Sequence, residues 1–140
     1  MSKAITLSKV FKTDSNSLFD LWTQPEHLKA WHTPTATGFA TPEVEVDLRE
    51  GGKYLIVMQG PESRHGVSGT YTKIERPTFL SYTWQWEGQE EVTNVSLAFE
   101  ETTNGTRLTL THEHPDSSDA AEGHNEGWTD LTISLARHIA

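Results

Sequence analysis

The chain has 140 residues, enough to enclose one hydrophobic core and too few for two ordinary ones, so a single domain spanning 1–140 is expected. Its formal net charge of -9, with only eleven lysines and arginines scattered along it, argues against a nucleic-acid partner that would have to be held through phosphates. The absence of cysteine excludes disulfides, thiolate ligands and cysteine nucleophiles. With no membrane-length apolar run and no signal-peptide pattern at the N-terminus, no membrane insertion and a cytoplasmic location are expected.

Residues 4–13, AITLSKVFKT, alternate and then carry Val10 and Phe11, which reads as a strand with room for a bulge. Asp14 is placed to cap a helix over 15–23, where Leu18, Leu21 and Trp22 share a face, and Pro25 opens a second short helix over 25–31. Residues 33–41 form a loop. The stretch 43–48 then alternates, with Val44 and Val46 on one face and Glu43, Glu45 and Asp47 on the other, solvated one, where Arg49 can pair with Asp47.

The glycines of REGG at 49–52 make a tight hairpin into a strand at 53–59. Further strands are expected over 65–75, 78–87, 90–101 and 106–114, separated by the turn signals GPESRHG, RP, EGQ and TNG. Turns this short join antiparallel neighbours. From about Asp119 the periodicity becomes helical, with Trp128, Leu131, Leu135 and Ile139 on one stripe. The fold class is therefore α+β: one strand, two short helices, six strands in a meander, and a long terminal helix that covers the apolar face of a curved sheet.

This order of elements, together with VDLREGGKY, SGTYTKIERPTFLSYTW, NGTRLTLTHEH and HNEGWTDLTISLARHI, resembles the START-like (SRPBCC) helix-grip superfamily. Within it, the chain is similar to the proteins named after the C-terminal domain of the heat-shock-protein ATPase activator (AHSA-type), over residues 5–139. The resemblance implies a deep cavity between sheet and terminal helix, used across the superfamily for lipids, sterols, polyketides and other hydrophobic ligands, and occasionally for cyclase or hydrolase chemistry. It does not imply one activity. The family's most visible positions map onto Gly51 and Gly52, Trp31 near the cavity mouth, and Gly127 and Trp128.

Two departures bear on function. The activator that lends the family its name carries a further N-terminal chaperone-binding domain for which this chain has no room, so a chaperone interaction is not expected. Family members often follow the last-strand histidine with a glycine and an aromatic, where this chain has HEHPD, which implies a more polar cavity rim.

The stretch 112–128, HEHPDSSDAAEGHNEGW, combines three histidines with five carboxylates and poses the question of a metal site. His112 and His114 emerge on one strand face about 7 Å apart, a spacing compatible with zinc, with His124 or Glu122 as a third ligand. No H-E-x-x-H helix, cysteine pair or calcium loop supports a metal, and none is expected. The expected reading is loop and helix start, with Ser118 or Asp119 as N-cap and Glu122 completing a capping arrangement. His112 would then line the cavity as a neutral polar handle, with His114 near the rim.

GVSGT at 66–70 fails as a nucleophile elbow because Thr70 stands where the last glycine should be and the setting is a strand. The aromatic signal is stronger: Tyr82, Trp84 and Trp86 share one face of a strand, and Met58, Tyr71 and Trp128 come from elements facing the same interior. The expected function is binding or carriage of a small hydrophobic, lipid-like or aromatic ligand, contacted by Trp31, Met58, Tyr71, Trp84, His112, His124 and Trp128, with no cofactor. The alternatives are a cyclase or hydrolase using the same cavity, with His112 as general acid or base, and a protein-interaction module docking through the acidic surface. The open edges of such a sheet would allow a homodimer.

Overall fold

The structure is a computed structural model and describes residues 2–115 and 118–140. Its elements are β1 (Ser2–Phe11), α1 (Ser15–Thr23), α2 (Pro25–Trp31), β2 (Ala40–Val46), β3 (Lys53–Gln59), β4 (Arg64–Glu75), β5 (Phe79–Trp86), β6 (Thr93–Thr102), β7 (Gly105–Pro115) and α3 (Ala121–Ile139). The strands form a seven-stranded antiparallel sheet of order β1-β7-β6-β5-β4-β3-β2. Strands β2 to β7 are the expected meander, and β1 returns beside the last strand, Ile5 opposite His112 and Leu7 opposite Leu110.

Burial follows the alternation. Val95, Leu97 and Phe99 of β6 and Leu108, Leu110 and His112 of β7 turn inward, and Tyr82 and Trp84 of β5 continue that face. Helix α3 lies over it on Trp128, Leu131 and Leu135. Helices α1 and α2 enter the same interior with Leu18, Phe19, Trp22, Leu28 and Trp31. Asp14 caps α1 as its position suggested, its Oδ1 accepting the Ser17 N–H at 2.8 Å.

The local departures have physical causes. The ladder between β1 and β7 is unbroken from Ser2 to Phe11, so no bulge forms at Val10. A register shift falls instead between Ala40 and Glu43, around Pro42, which has no N–H to give the ladder; β2 therefore starts earlier than alternation alone implies. A second shift lies between Tyr71 and Lys73. Helix α3 begins at Ala121 with Ala120 at the N-cap and no side-chain cap. Ser118 Oγ accepts the Ala120 N–H and donates to Glu91, tethering the entering chain to the segment before β6. Asp116 and Ser117 of the acidic stretch lie outside the described residues.

Asp47 and Arg49 pair at 2.8 Å on the exposed side, as their spacing suggested. In the hairpin, Gly51 has φ +84, and a Cβ on Gly52 would lie 2.1 Å from the Asp47 carbonyl oxygen. Gly52→Ala is therefore expected to destabilise the fold by more than about 1 kcal/mol, read as a lower urea midpoint at unchanged slope.

Candidate functional site: a tryptophan-walled cavity backed by a histidine stack

Between β5 and α3 lies a cavity of about 230 Å³. Strand parity aims Trp84 and Trp86 at the helix, and the 3.6-residue turn aligns Gly123, Gly127, Trp128 and Leu131 opposite them. Met58 from β3, Phe39 ahead of β2 and His65 at the start of β4 close the far side. The Trp84 and Trp86 rings meet edge to face at 5.3 Å and 88°, while Trp84 and Trp128 lie 4.9 Å apart at 56°.

The two glycines sit inside a helix, where each costs about 1 kcal/mol relative to alanine. Packing does not require them, because a Cβ at Gly123 or Gly127 would meet nothing within 4 Å. Their effect is to leave the helix side of the cavity open. At the same wall, Asp130 accepts the Thr35 backbone N–H at 3.0 Å and the Thr35 hydroxyl at 2.5 Å, fastening the chain after α2 to α3.

Three histidines cluster at this wall, His124 lining it and His112 and His114 lying behind. Trp128 Nε1–H donates to His112 Nδ1 at 2.9 Å, so a neutral His112 carries its proton on Nε2, which meets Thr93 Oγ1 at 2.6 Å. Trp86 Nε1–H donates to His124 Nε2 at 3.0 Å, which leaves Nδ1–H of a neutral ring to donate to His114 Nε2 at 2.6 Å. His112 stacks on both others, its centroid 4.3 Å from His114 and 4.4 Å from His124. Burial, then the neighbouring His124 and His114, push the His112 pKa down to about 2. Burial and His114 push His124 down to about 4, against an opposing pull from Glu91.

One ring nitrogen from each of the three lies within 4.8 Å of the other two, so a metal has to be considered. An imidazole binds a metal through a lone pair in its ring plane. The planes of His112 and His124 are 6° from parallel and stacked, and both nitrogens of His112 are engaged by Trp128 and Thr93. Lone pairs in stacked parallel planes do not meet at one ion about 2 Å from each. In this arrangement the trio is a stacked, hydrogen-bonded cluster in which His112 and His124 are neutral at pH 7.

Of the residues expected to contact a ligand, Met58, Trp84, His124 and Trp128 line the cavity. Trp31, Tyr71 and His112 do not. Trp31 is fully buried rather than at the mouth, its Nε1 donating to the Leu21 carbonyl at 2.6 Å and its ring against Trp22. Tyr71 lines a separate, water-sized recess of about 10 Å³ with Tyr54, Tyr82 and His32, where α1 and α2 fill the rest of the interior. His112 lies one layer behind the wall, and His114, expected near the rim, is 1% exposed.

Sequence reading missed Phe39, His65, Gly123, Gly127 and Asp130 as wall residues and left Trp86 out of the contact set. Two glycines one turn apart in a helix with no turn to make were the available signal; Phe39 and His65 offered none.

A curved antiparallel sheet closed by a long C-terminal helix over an apolar cavity defines a helix-grip protein. The profile of the family described as Activator of Hsp90 ATPase homolog 1-like protein matches residues 12–140, and the chain belongs to that family. No curated protein matches. Among solved structures, protein CV1439 from Chromobacterium violaceum is 22% identical, with TM-score 0.85 over 97% of this chain and 96% of that one. The AHSA1 (SPO3351) protein from Silicibacter pomeroyi is 26% identical, with TM-score 0.83 over 97% and 96%. The AHSA1-like protein from Aeromonas hydrophila is 20% identical, with TM-score 0.84 over 98% and 92%. Among the described residues no helix is long and apolar enough to cross a membrane.

The buried histidines predict an acid-sensitive fold. His32, like His124, is held down to about 4, by burial, whereas an unfolded histidine titrates near 6.5. Below about pH 6.5 the unfolded chain binds more protons than the folded one, so the histidine contribution is complete above that pH and is lost as the pH falls towards 4, with His112 extending the loss further. Urea melts between pH 7 and 4.5 should show stability falling with a slope that approaches roughly 4 kcal/mol per pH unit as three protons are taken up. A flat profile would contradict the burial of three neutral imidazoles.

Proposed function

We propose that this chain is one ligand-binding domain that holds a small, mostly apolar molecule in the cavity between β5 and α3. The observation that carries the reading is the open space of about 230 Å³ over Gly123 and Gly127, where glycine weakens the helix and satisfies no packing need. Proteins lose stability for such a feature without benefit unless the space is used. The apolar walls with a few polar groups, His65, His124 and Asp130, have the composition of a small-molecule site. For comparison, an apolar cavity of about 150 Å³ admits benzene. An enzyme built on His112 draws no support from the geometry, because both its nitrogens are committed to Trp128 and Thr93.

Native mass spectrometry of the purified protein, followed by a thermal-shift screen with palmitate, cholesterol sulfate, indole and 1-naphthol, tests the reading. Gly123→Ala should raise the stability by about 0.5–1 kcal/mol, since the added methyl meets open space. Gly127→Leu, which fills the cavity, should remain folded and abolish any ligand-induced shift. Absence of a co-purifying molecule together with an identical screen for the wild type and Gly127→Leu would overturn the proposal.

A further inference from the structure

Three tryptophans, Trp84, Trp86 and Trp128, and Phe39 wall the cavity, and no lysine or arginine among the described residues lines it. The rings of Trp84 and Trp86 stand at 88° and those of Trp84 and Trp128 at 56°, so the three indoles bring differently oriented planes to the wall of one space. The face of an indole is the electron-rich side of its quadrupole and the strongest of the aromatic partners for a cation. Asp130 adds a carboxylate to the same wall, where its hydrogen bonds come from the Thr35 N–H and hydroxyl and from no cationic side chain among the described residues.

Charges around the mouth favour the same sign of ligand. Arg64, in the adjoining depression beside His65 and Trp86, is committed to Glu87 by two bonds of 3.0 and 3.1 Å. His124 is kept neutral at pH 7 by burial and His114. The formal charge of -9 gives the whole molecule a field that draws in cations. A carboxylate ligand such as a fatty acid would share the cavity with Asp130 and find no lysine or arginine among the described residues of its wall.

We infer that the ligand is an organic cation, a quaternary ammonium or protonated amine on an apolar body, with its charge against the tryptophan faces beside Asp130. This rests on the reading of the cavity as a ligand site and adds the sign of charge. Aromatic walls and a nearby carboxylate are the means by which proteins hold quaternary ammonium groups without displacing water from a strongly hydrated charge.

The test is a titration of the full chain at pH 8, where histidine charge does not contribute, following the tryptophan indole N–H signals by NMR. The probes are benzyltrimethylammonium, its uncharged isostere neopentylbenzene, and phenylacetate. The cation is expected to bind about tenfold tighter than the isostere, with phenylacetate weakest, and to move the Trp84, Trp86 and Trp128 signals. Asp130→Asn should weaken the cation severalfold and leave the isostere unchanged. Equal or tighter binding of the isostere or of phenylacetate, lost in Gly127→Leu, would overturn the inferred charge while leaving the cavity reading intact. No response to any of the three, with Gly127→Leu behaving as wild type, would overturn both.

Discussion

The contact of Trp84 on β5 with Trp128 on α3, ring centroids 4.9 Å apart, is the constraint on which the interior is arranged. A single helix laid over a wide concave sheet cannot fill the space beneath it with aliphatic side chains of ordinary reach. Two indoles bridge that gap and divide it. On one side α1 and α2 bring Trp22 and Leu28 against the tyrosines of β3, β4 and β5, with Trp31 packed on Trp22, and almost nothing is left open. On the other side nothing comparable enters, and two glycines on α3 withhold the side chains that would have closed it.

The tryptophans also organise the polar groups. Two of them spend the indole N–H on an imidazole: Trp128 on His112, and Trp86 on His124. Those bonds choose the tautomers of His112 and His124, and burial holds both rings neutral at pH 7 where they stack on each other and on His114. The same apolar surroundings that make the cavity suited to a ligand thus disfavour protonation of His112 and His124. Trp84 is the exception: among the described residues its buried Nε1–H has no acceptor, and both nitrogens of His32 are likewise unpartnered.

Much of this was legible in the chain itself. Alternation on β5 put Tyr82, Trp84 and Trp86 on one face, helical spacing put Trp128 and Leu131 opposite them, and the turn residues between strands required an antiparallel meander. The charge balance argued against a partner held through its phosphates, and the missing cysteines excluded thiolate chemistry. These are local properties: a strand's period decides which face a side chain takes, and a turn's composition decides how neighbours connect.

What tertiary structure alone decided was the depth at which each inward side chain ends. Tyr71 and Trp84 share an interior, yet one faces a recess filled by α1 and α2 and the other an open cavity, because parity says nothing about which helix arrives above a given point along a strand. His112 pointed inward as its parity required, but Trp128 folded over it from α3 and took its nitrogen, a contact between residues from different elements that no periodicity encodes. Phe39, His65 and Asp130 joined one wall from a loop, a strand end and a helix for the same reason. The sequence by itself determined the elements, their order and their buried faces, since those follow from near neighbours in the chain; the cavity's boundary was decided by where three helices come to rest on the sheet, which depends on the packing of the whole core.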